Sequence, residues 1–535
     1  MQRLIILLFL LVVLVEQGKS QFVTLGINNF DQIWYENNLL RTPNNIHTSI
    51  KPWRNTDVDS LSRKKELLVP NNLELSGKGI KNIIKRKLYY EYLLKTKGED
   101  FYLTLNPIVF LSGGLDRANN TNTYQNSRGL LVQGQLGKKI SYYSTLVETQ
   151  AIFPAHLSQQ VASNQVASSY WLTKGFKNGG FDFAYAAGEV AFTPNRIFQI
   201  RLGQGKQFLG EGYRSMLISD NSVNYPFFRI ETSFWRIKYV NLWAVMNDLR
   251  SSVMLGNIFG KKYLSMHYLS MNIGSRWNIG FFEGIMWGDE LNRYRLDVSF
   301  LNPVIFYRPV EFSQGFAGGN TLMGFQTSYQ LKNGIKPYGQ IVIDEFKASA
   351  IKNWSAGDWR NMIGFQLGVK YGDAFNIPNL FILAEYNSAR PYLYSHRKII
   401  TNWGHYRQPL AHPWGSNFEE FLVRINYRYR RWAVLSAFHW GKTGRDNSQD
   451  NWGGDIFKAN STRTVSVGVK VGQGEPSILT YFKTEISYIL NPIYNLRIEA
   501  GAHLRNEKIQ IGGFPNSQHF YIGIRTDMYQ PYTDF

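Results

Sequence analysis

Cysteine is absent from the 535 residues. That excludes disulfides, thiolate metal sites, a cysteine nucleophile and a lipid-modified N-terminal cysteine. Acidic residues are scarce: 39 Asp and Glu stand against 59 Lys and Arg, for a formal charge of +20. In a cytoplasmic protein such an excess would suggest nucleic acid. For the exported chain argued below that partner is rejected, and anionic lipid headgroups, cell-wall polymers or acidic polysaccharide take its place. Long apolar runs are missing as well. Beyond residue 15 no stretch approaches the roughly 18 consecutive apolar residues that a membrane helix needs. A mature chain that enters a membrane must then do so as a closed barrel, because lipid satisfies no backbone hydrogen bond.

The one apolar run lies at the start. Arg3 precedes Leu4–Val15, a run of 12 residues, and the polar stretch Glu16 to Ser20 follows. Gly18 and Ser20 fill the small-residue positions of a cleavage site, so residues 1–20 are expected to be a signal peptide and Gln21 the mature N-terminus. The run is short for an uncleaved anchor.

Aromatic residues are abundant: 35 Phe, 32 Tyr and 14 Trp. They suit strands, and Tyr and Trp suit the two edges of a bilayer. A soluble β-sandwich or propeller is the competing reading. The pattern along the chain decides against it. In IFQIRLGQG, Phe198, Ile200 and Leu202 alternate with Gln199, Arg201 and Gly203. In FDFAYAAGEVAF, Phe181, Phe183 and Tyr185 alternate with Asp182 and small residues. Apolar residues on one face and polar ones on the other fit lipid outside and a wet lumen inside. Hairpins recur: Leu130–Leu136 turns at Gly137 and Lys138 into Ile140–Leu146, and a second turn falls at Arg430 and Arg431. The expected fold is all-β, a transmembrane antiparallel β-barrel over residues 99–535. At roughly 22 to 26 residues per strand and half its connections, about 16 to 20 strands fit, and 18 is the expected number.

Residues 21–98 read differently and are expected to form an N-terminal, partly helical periplasmic region. Lys51–Lys97 holds 12 basic and 5 acidic residues. Within it Ile80, Ile83, Ile84, Leu88 and Tyr92 recur at helical spacing, predicting a basic helix over Ile80–Lys95 that packs or docks on the barrel or a partner.

Three stretches resemble known barrels. RLGQGKQFLGEGYRSMLISDNSVNYPFFRIE, residues 201–231, resembles the Wzi-type capsule-assembly outer-membrane barrels through Gly203, Gly210, Gly212, Ser215 to Ser219 and Pro226. The aromatic-Gly-Pro-Gly turn of that family is replaced here by Leu209 to Gly212. FLNPVIFYRPVEFSQG (300–315) and QPLAHPWGSNFEEFLV (408–423) look closer to the RemB-like gliding-motility-associated outer-membrane proteins. The resemblance implies a non-enzymatic outer-membrane protein for assembly or attachment of surface polysaccharide, capsule or exopolysaccharide, or for gliding motility. Its implied partners are outer-membrane lipid, surface polysaccharide, and periplasmic or cell-surface motility proteins. A porin or transporter for small polar solutes is the alternative.

The candidate contacts follow from residue type. GQGKQFLGEG lacks the phosphate-loop string and a following helix, so Lys206 and its glycines read as a lumen-facing bend and no nucleotide is expected. Arg201 faces the same wet side. Arg308 is expected to pair with Glu311 or, across the lumen, with Glu283, as a charged constriction or a structural ion pair. His396, His405 and His412 match no zinc spacing. No metal or cofactor is therefore expected. The segment holding Tyr392, Trp403, His412 and Trp414 reads as a long extracellular loop or lumen plug able to stack sugar rings. Ser219 and Asn221 can be set beside any of nine histidines, and no spacing selects one. No enzyme is expected.

Overall fold

A computed structural model describes residues 24–28, 30–54, 80–250, 254, 258–288, 297–304, 306–307, 309–310, 319–344, 356–509 and 512–534. The signal peptide expected at residues 1–20, Arg308 and Glu311 lie outside them. The described chain forms a closed antiparallel barrel of 18 strands. The first six are β1 (Phe101–Asp116), β2 (Thr121–Leu136), β3 (Ile140–Ile152), β4 (Gly180–Phe192), β5 (Phe198–Gly205) and β6 (Tyr225–Phe234). Next come β7 (Ile237–Asp248), β8 (Gly260–Ile273), β9 (Trp277–Gly288), β10 (Asn320–Tyr329), β11 (Ile335–Asp344) and β12 (Met362–Tyr371). The barrel is completed by β13 (Leu380–Ala389), β14 (Phe418–Tyr429), β15 (Trp432–Arg445), β16 (Glu475–Asn491), β17 (Leu496–Lys508) and β18 (Ser517–Arg525). Each strand pairs with its sequence neighbours, and β18 closes on β1, from Arg525 opposite Phe110 to His519 opposite Asp116.

The period of two sets the two faces. Leu130, Leu146, Leu202, Phe281, Leu367 and Ile522 stand exposed on the outer wall. Their neighbours Arg201, Gln366, Glu385 and Glu420 point inward and are buried. An apolar exterior around a polar interior is what lipid demands of a barrel. On β15, Trp432 and Trp440 mark the two edges of the apolar band, roughly 20 Å apart in height for a tilted strand. At one end the connections run from two residues (Arg430 and Arg431) to eight (372–379). At the other end lie long segments, including 153–179, 206–224, 390–417 and 446–474. Short turns belong to the periplasmic side and long loops to the outside.

The expected helix over Ile80–Lys95 is shorter in the structure. Three helices are described: α1 (Gln32–Leu39), α2 (Ile83–Tyr89) and α3 (Ala155–Asn164). Asn82 caps α2 by accepting from the Lys85 N–H at 3.0 Å. The chain then straightens, and Leu94–Lys97 pairs with the foot of β1, Leu94 opposite Leu105. Sheet pairing outcompetes the helical spacing there. Ile83, Ile84 and Leu88 end up exposed rather than packed.

Candidate functional site

The lumen is filled by four parts of the chain, and a fifth, 446–474, caps the third. The first is residues 24–54. Leu40 packs with Phe381, Leu383 and Leu422, inward residues of β13 and β14. Glu36 on α1 bridges Lys51 at 3.0 Å and Lys370 of β12 at 2.9 Å. Ile50 and Lys51 form a short ladder with Leu209 and Phe208.

That ladder joins the second part, residues 206–224, which is buried almost throughout. Met216, Leu217 and Ile218 have 0% exposure and form the centre of the main apolar cluster. The glycines are there for clearance. A Cβ at Gly212 would run into the Glu385 carboxylate, and one at Gly210 would meet Gln340 Nε2 at 2.9 Å. Glu211 accepts from Lys336 Nζ at 2.9 Å and lies 3.3 Å from Lys370 Nζ. Burial works against its charge, but the two ammonium groups win and hold its carboxyl well below the usual range. Arg214 reaches Glu420 on β14 at 2.8 Å and Asp534 at 3.1 Å.

The third part, residues 390–417, lies over the second. Tyr394 Oη donates to the Met216 carbonyl at 2.6 Å, Trp403 Nε1 donates to the Leu217 carbonyl at 2.9 Å, and Ser219 N–H donates to the Leu410 carbonyl at 2.7 Å. Above it sits 446–474, reached by Tyr392 Oη donating to the Asn451 carbonyl at 2.9 Å. The fourth part is the tail after β18. Tyr532 Oη donates to Asp220 Oδ1 at 2.6 Å, and Tyr529 Oη donates to the Asp220 carbonyl at 2.7 Å.

The residues singled out from the sequence can now be placed. Arg201 faces the lumen, with Glu189 at 2.6 Å and Glu231 at 3.1 Å. Lys206 donates to the carbonyls of Ser169 (2.7 Å), Asp220 (3.0 Å) and Ser222 (2.5 Å). Burial pushes its ammonium down to about 7, with Asp220 opposing. Tyr392 and Trp403 are buried inside the plug. His412 Nε2 lies 2.7 Å from Glu420, and Trp414, half-buried, packs on Phe418. Glu283 corrects the expectation for it. Its neighbours Phe282 and Gly284 meet Trp403 inside the lumen, so alternation places Glu283 on the outer wall. It accepts from the Tyr307 N–H at 2.8 Å. Ser219 Oγ is engaged by the Leu410 and Ala411 carbonyls, and the three loop histidines bind separate partners, Thr401, Asn247 and Glu420.

Sequence reasoning missed Glu36, Glu211 and Arg214. The signal was present in GEGYR, where a carboxylate and a guanidinium sit among glycines, but their partners are more than a hundred residues away. Glu36 offers a pH test. Its two lysines hold it down at about 2, against 4.5 unperturbed. A depressed carboxylate contributes stability above its unfolded pKa, and that contribution is lost as pH falls through the folded value. Between pH 4.5 and about 2, Trp34 and Trp53 fluorescence should report unseating of residues 24–54. Glu36→Gln should flatten that part of the profile.

No family model and no curated protein matches the sequence. Solved structures do match. Residues covering 96% of this chain align with the whole of Wzi of Escherichia coli, at 12% identity and a TM-score of 0.55. Wzi is described as an outer-membrane protein involved in group 1 capsule assembly and a carbohydrate-binding β-barrel. Two Pseudomonas aeruginosa barrels also align. OccK8 has 9% identity and a TM-score of 0.43, over 80% of this chain and 98% of its own. OprD has 9% identity and a TM-score of 0.42, over 80% of this chain and 95% of its own. In fold, the chain is similar to Wzi, a barrel of the outer-membrane type.

Proposed function

We propose that the protein is a surface-glycan barrel of the outer membrane, which attaches or helps assemble capsule or exopolysaccharide and thereby supports movement of surface material. Residues 1–20 serve as its export signal and 21–98 serve the periplasmic mouth. The filled lumen carries the reading. A solute path would have to cross residues 24–54, 206–224, 390–417 and 446–474, which are hydrogen-bonded to one another in series. A rigid closed barrel is a platform rather than a pore. The described capsule role of Wzi supports the same reading through the shared fold. Tyr392, Trp403 and His412 hold the plug together, so the glycan contacts belong to the outer loops. Trp359, with Arg463 stacked over its ring at 4.1 Å, and the half-buried Trp414 and Trp452 are the proposed stacking surfaces there.

The test is a gene deletion with a complemented control, scored for surface polysaccharide and colony spreading. Loss of either supports the proposal, and wild-type levels of both overturn it. The purified barrel should be silent in planar bilayers. A stable open conductance would favour the porin instead.

A further inference from the structure

Helix α2 leaves its apolar side chains without protein to cover them. Ile83 and Ile84 are 60% and 73% exposed. Leu88, one turn after Ile84 on the same face, is exposed as well. The helix is nonetheless fixed in place. Asn491 Nδ2 donates to the Lys87 and Glu91 carbonyls at 2.9 and 3.1 Å, and Tyr494 Oη donates to the Lys87 carbonyl at 3.0 Å. Asn491 ends β16, and Tyr494 lies in the short periplasmic turn to β17. The barrel therefore holds α2 by its backbone and leaves the apolar side chains to another partner.

The lipid-facing wall runs into this segment. Leu94 is 50% exposed and sits opposite Leu105. Leu105 shares the outward face of β1 with Phe101 and Leu111, both exposed. Leu94 thus continues the apolar band, and α2 ends five residues earlier. Tyr90 and Tyr92 lie between them, side chains that favour the edge of a bilayer. Charge points the same way. Ile80–Lys97 carries six basic residues and one acidic one. Glu91 takes Arg86 and Lys87, at 3.2 and 3.1 Å. Lys81 and Lys85 are exposed and hold no carboxylate among the described residues. Lys85 borders the face of Ile84 and Leu88, so its stem can lie along apolar surface while its ammonium stays wet. An apolar face edged by lysines and continuous with the lipid-facing wall fits the headgroup boundary. A soluble partner would first have to displace the lipid there.

We propose that Ile80–Leu94 is an interfacial anchor that binds acidic phospholipid of the periplasmic leaflet. Ile83, Ile84 and Leu88 enter the acyl boundary, and Lys81 and Lys85 meet headgroup phosphates. The leaflet is the periplasmic one because α2 is tied to a short turn, at the end opposite the long loops. The lipid is acidic because unpaired lysines at a bilayer surface gain from negative headgroups and little from zwitterionic ones. The apolar face supplies the depth and the lysines supply the choice of lipid.

The chain has no cysteine, so a single introduced cysteine takes a label without background. The experiment uses full-length Ile84→Cys and, separately, Leu88→Cys, each carrying a nitrobenzoxadiazole fluorophore. The folded barrels are placed in vesicles of phosphatidylethanolamine with phosphatidylglycerol, and in vesicles of phosphatidylcholine. Both labels should show blue-shifted emission, protection from aqueous iodide and quenching by lipid brominated on the acyl chain. Brominated phosphatidylglycerol should quench more strongly than brominated phosphatidylcholine at equal content. Adding Lys81→Gln and Lys85→Gln should lower that preference at least about fivefold, the effect of one charge at an anionic surface, with the barrel still folded by heat-dependent gel mobility. Lys81→Arg with Lys85→Arg should keep it. The proposal is overturned if both labels stay open to iodide in both kinds of vesicle, the result a site for a soluble protein would give. It is overturned equally if the Gln pair leaves the preference for phosphatidylglycerol unchanged.

Discussion

Arg214→Ala is expected to make the closed barrel leak. Arg214 has 0% exposure and lies between two carboxylates, Glu420 on the wall and Asp534 on the tail. Tyr213 and Tyr532 stack on its guanidinium at 4.9 and 4.8 Å. It is therefore the point where plug, wall and tail meet. Removing it leaves two buried carboxylates with only the imidazoles of His412 and His439 beside them. His412 is a poor substitute, because burial pushes its pKa down. Breaking a fully buried ion pair from one side costs about 3–5 kcal/mol, most of it the stranded charge. Water entering to solvate Glu420 and Asp534 is the cheapest relief, and water entering there opens the lumen. Planar-bilayer recording should show conductance absent from wild type, with an earlier heat-induced shift in gel mobility. Arg214→Lys should give an intermediate result, since a lysine restores charge but not the two-sided fork. A silent Arg214→Ala barrel with unchanged melting would show that the plug does not depend on this contact.

Trp403→Ala tests packing where Arg214→Ala tests charge. Trp403 is fully buried, meets Phe282 of β9 edge-on at 6.2 Å, and ties residues 390–417 to 206–224 through its indole N–H. Deleting the ring leaves a cavity and strips the Leu217 carbonyl of its donor. The cost should be about 3–5 kcal/mol, in the range of other buried tryptophan truncations. The chain is exposed to solvent at Arg407 in the same segment, and Arg407→Ala should be neutral. A ligand-contact role for Trp403 would give the opposite outcome: glycan binding lost with the melting curve unmoved. Thermal melts monitored by near-ultraviolet circular dichroism separate the two.

Much of the wall was legible. Phe198, Ile200 and Leu202 against Gln199 and Arg201 mark β5 and its two faces, and the turn at Arg430 and Arg431 is where the pattern puts it. Side-chain alternation is a local property, so it survives without knowledge of the fold. The helix over Ile80–Lys95 is cut short to Ile83–Tyr89 because Leu94–Lys97 pairs with β1, a partner that only closure brings near. Glu283 failed for a different reason. Charge was read as lumenal, and the rule holds only for walls that face lipid directly. Here Phe300 and Tyr307 cover the outer wall, packed on Ile285 and Trp287.

By itself the sequence determined a β-barrel and its polarity of faces, because both rest on residues two apart, and its approximate strand number, because that follows from the chain length each strand and its connections take up. Tertiary structure decided that the lumen is closed. Lys336 and Lys370 around Glu211, and Glu420 with Asp534 around Arg214, come from strands and a tail distant in the chain. A buried charge has no partner until the barrel closes around it. The use of the lumen was therefore set by long-range electrostatics that no local period records.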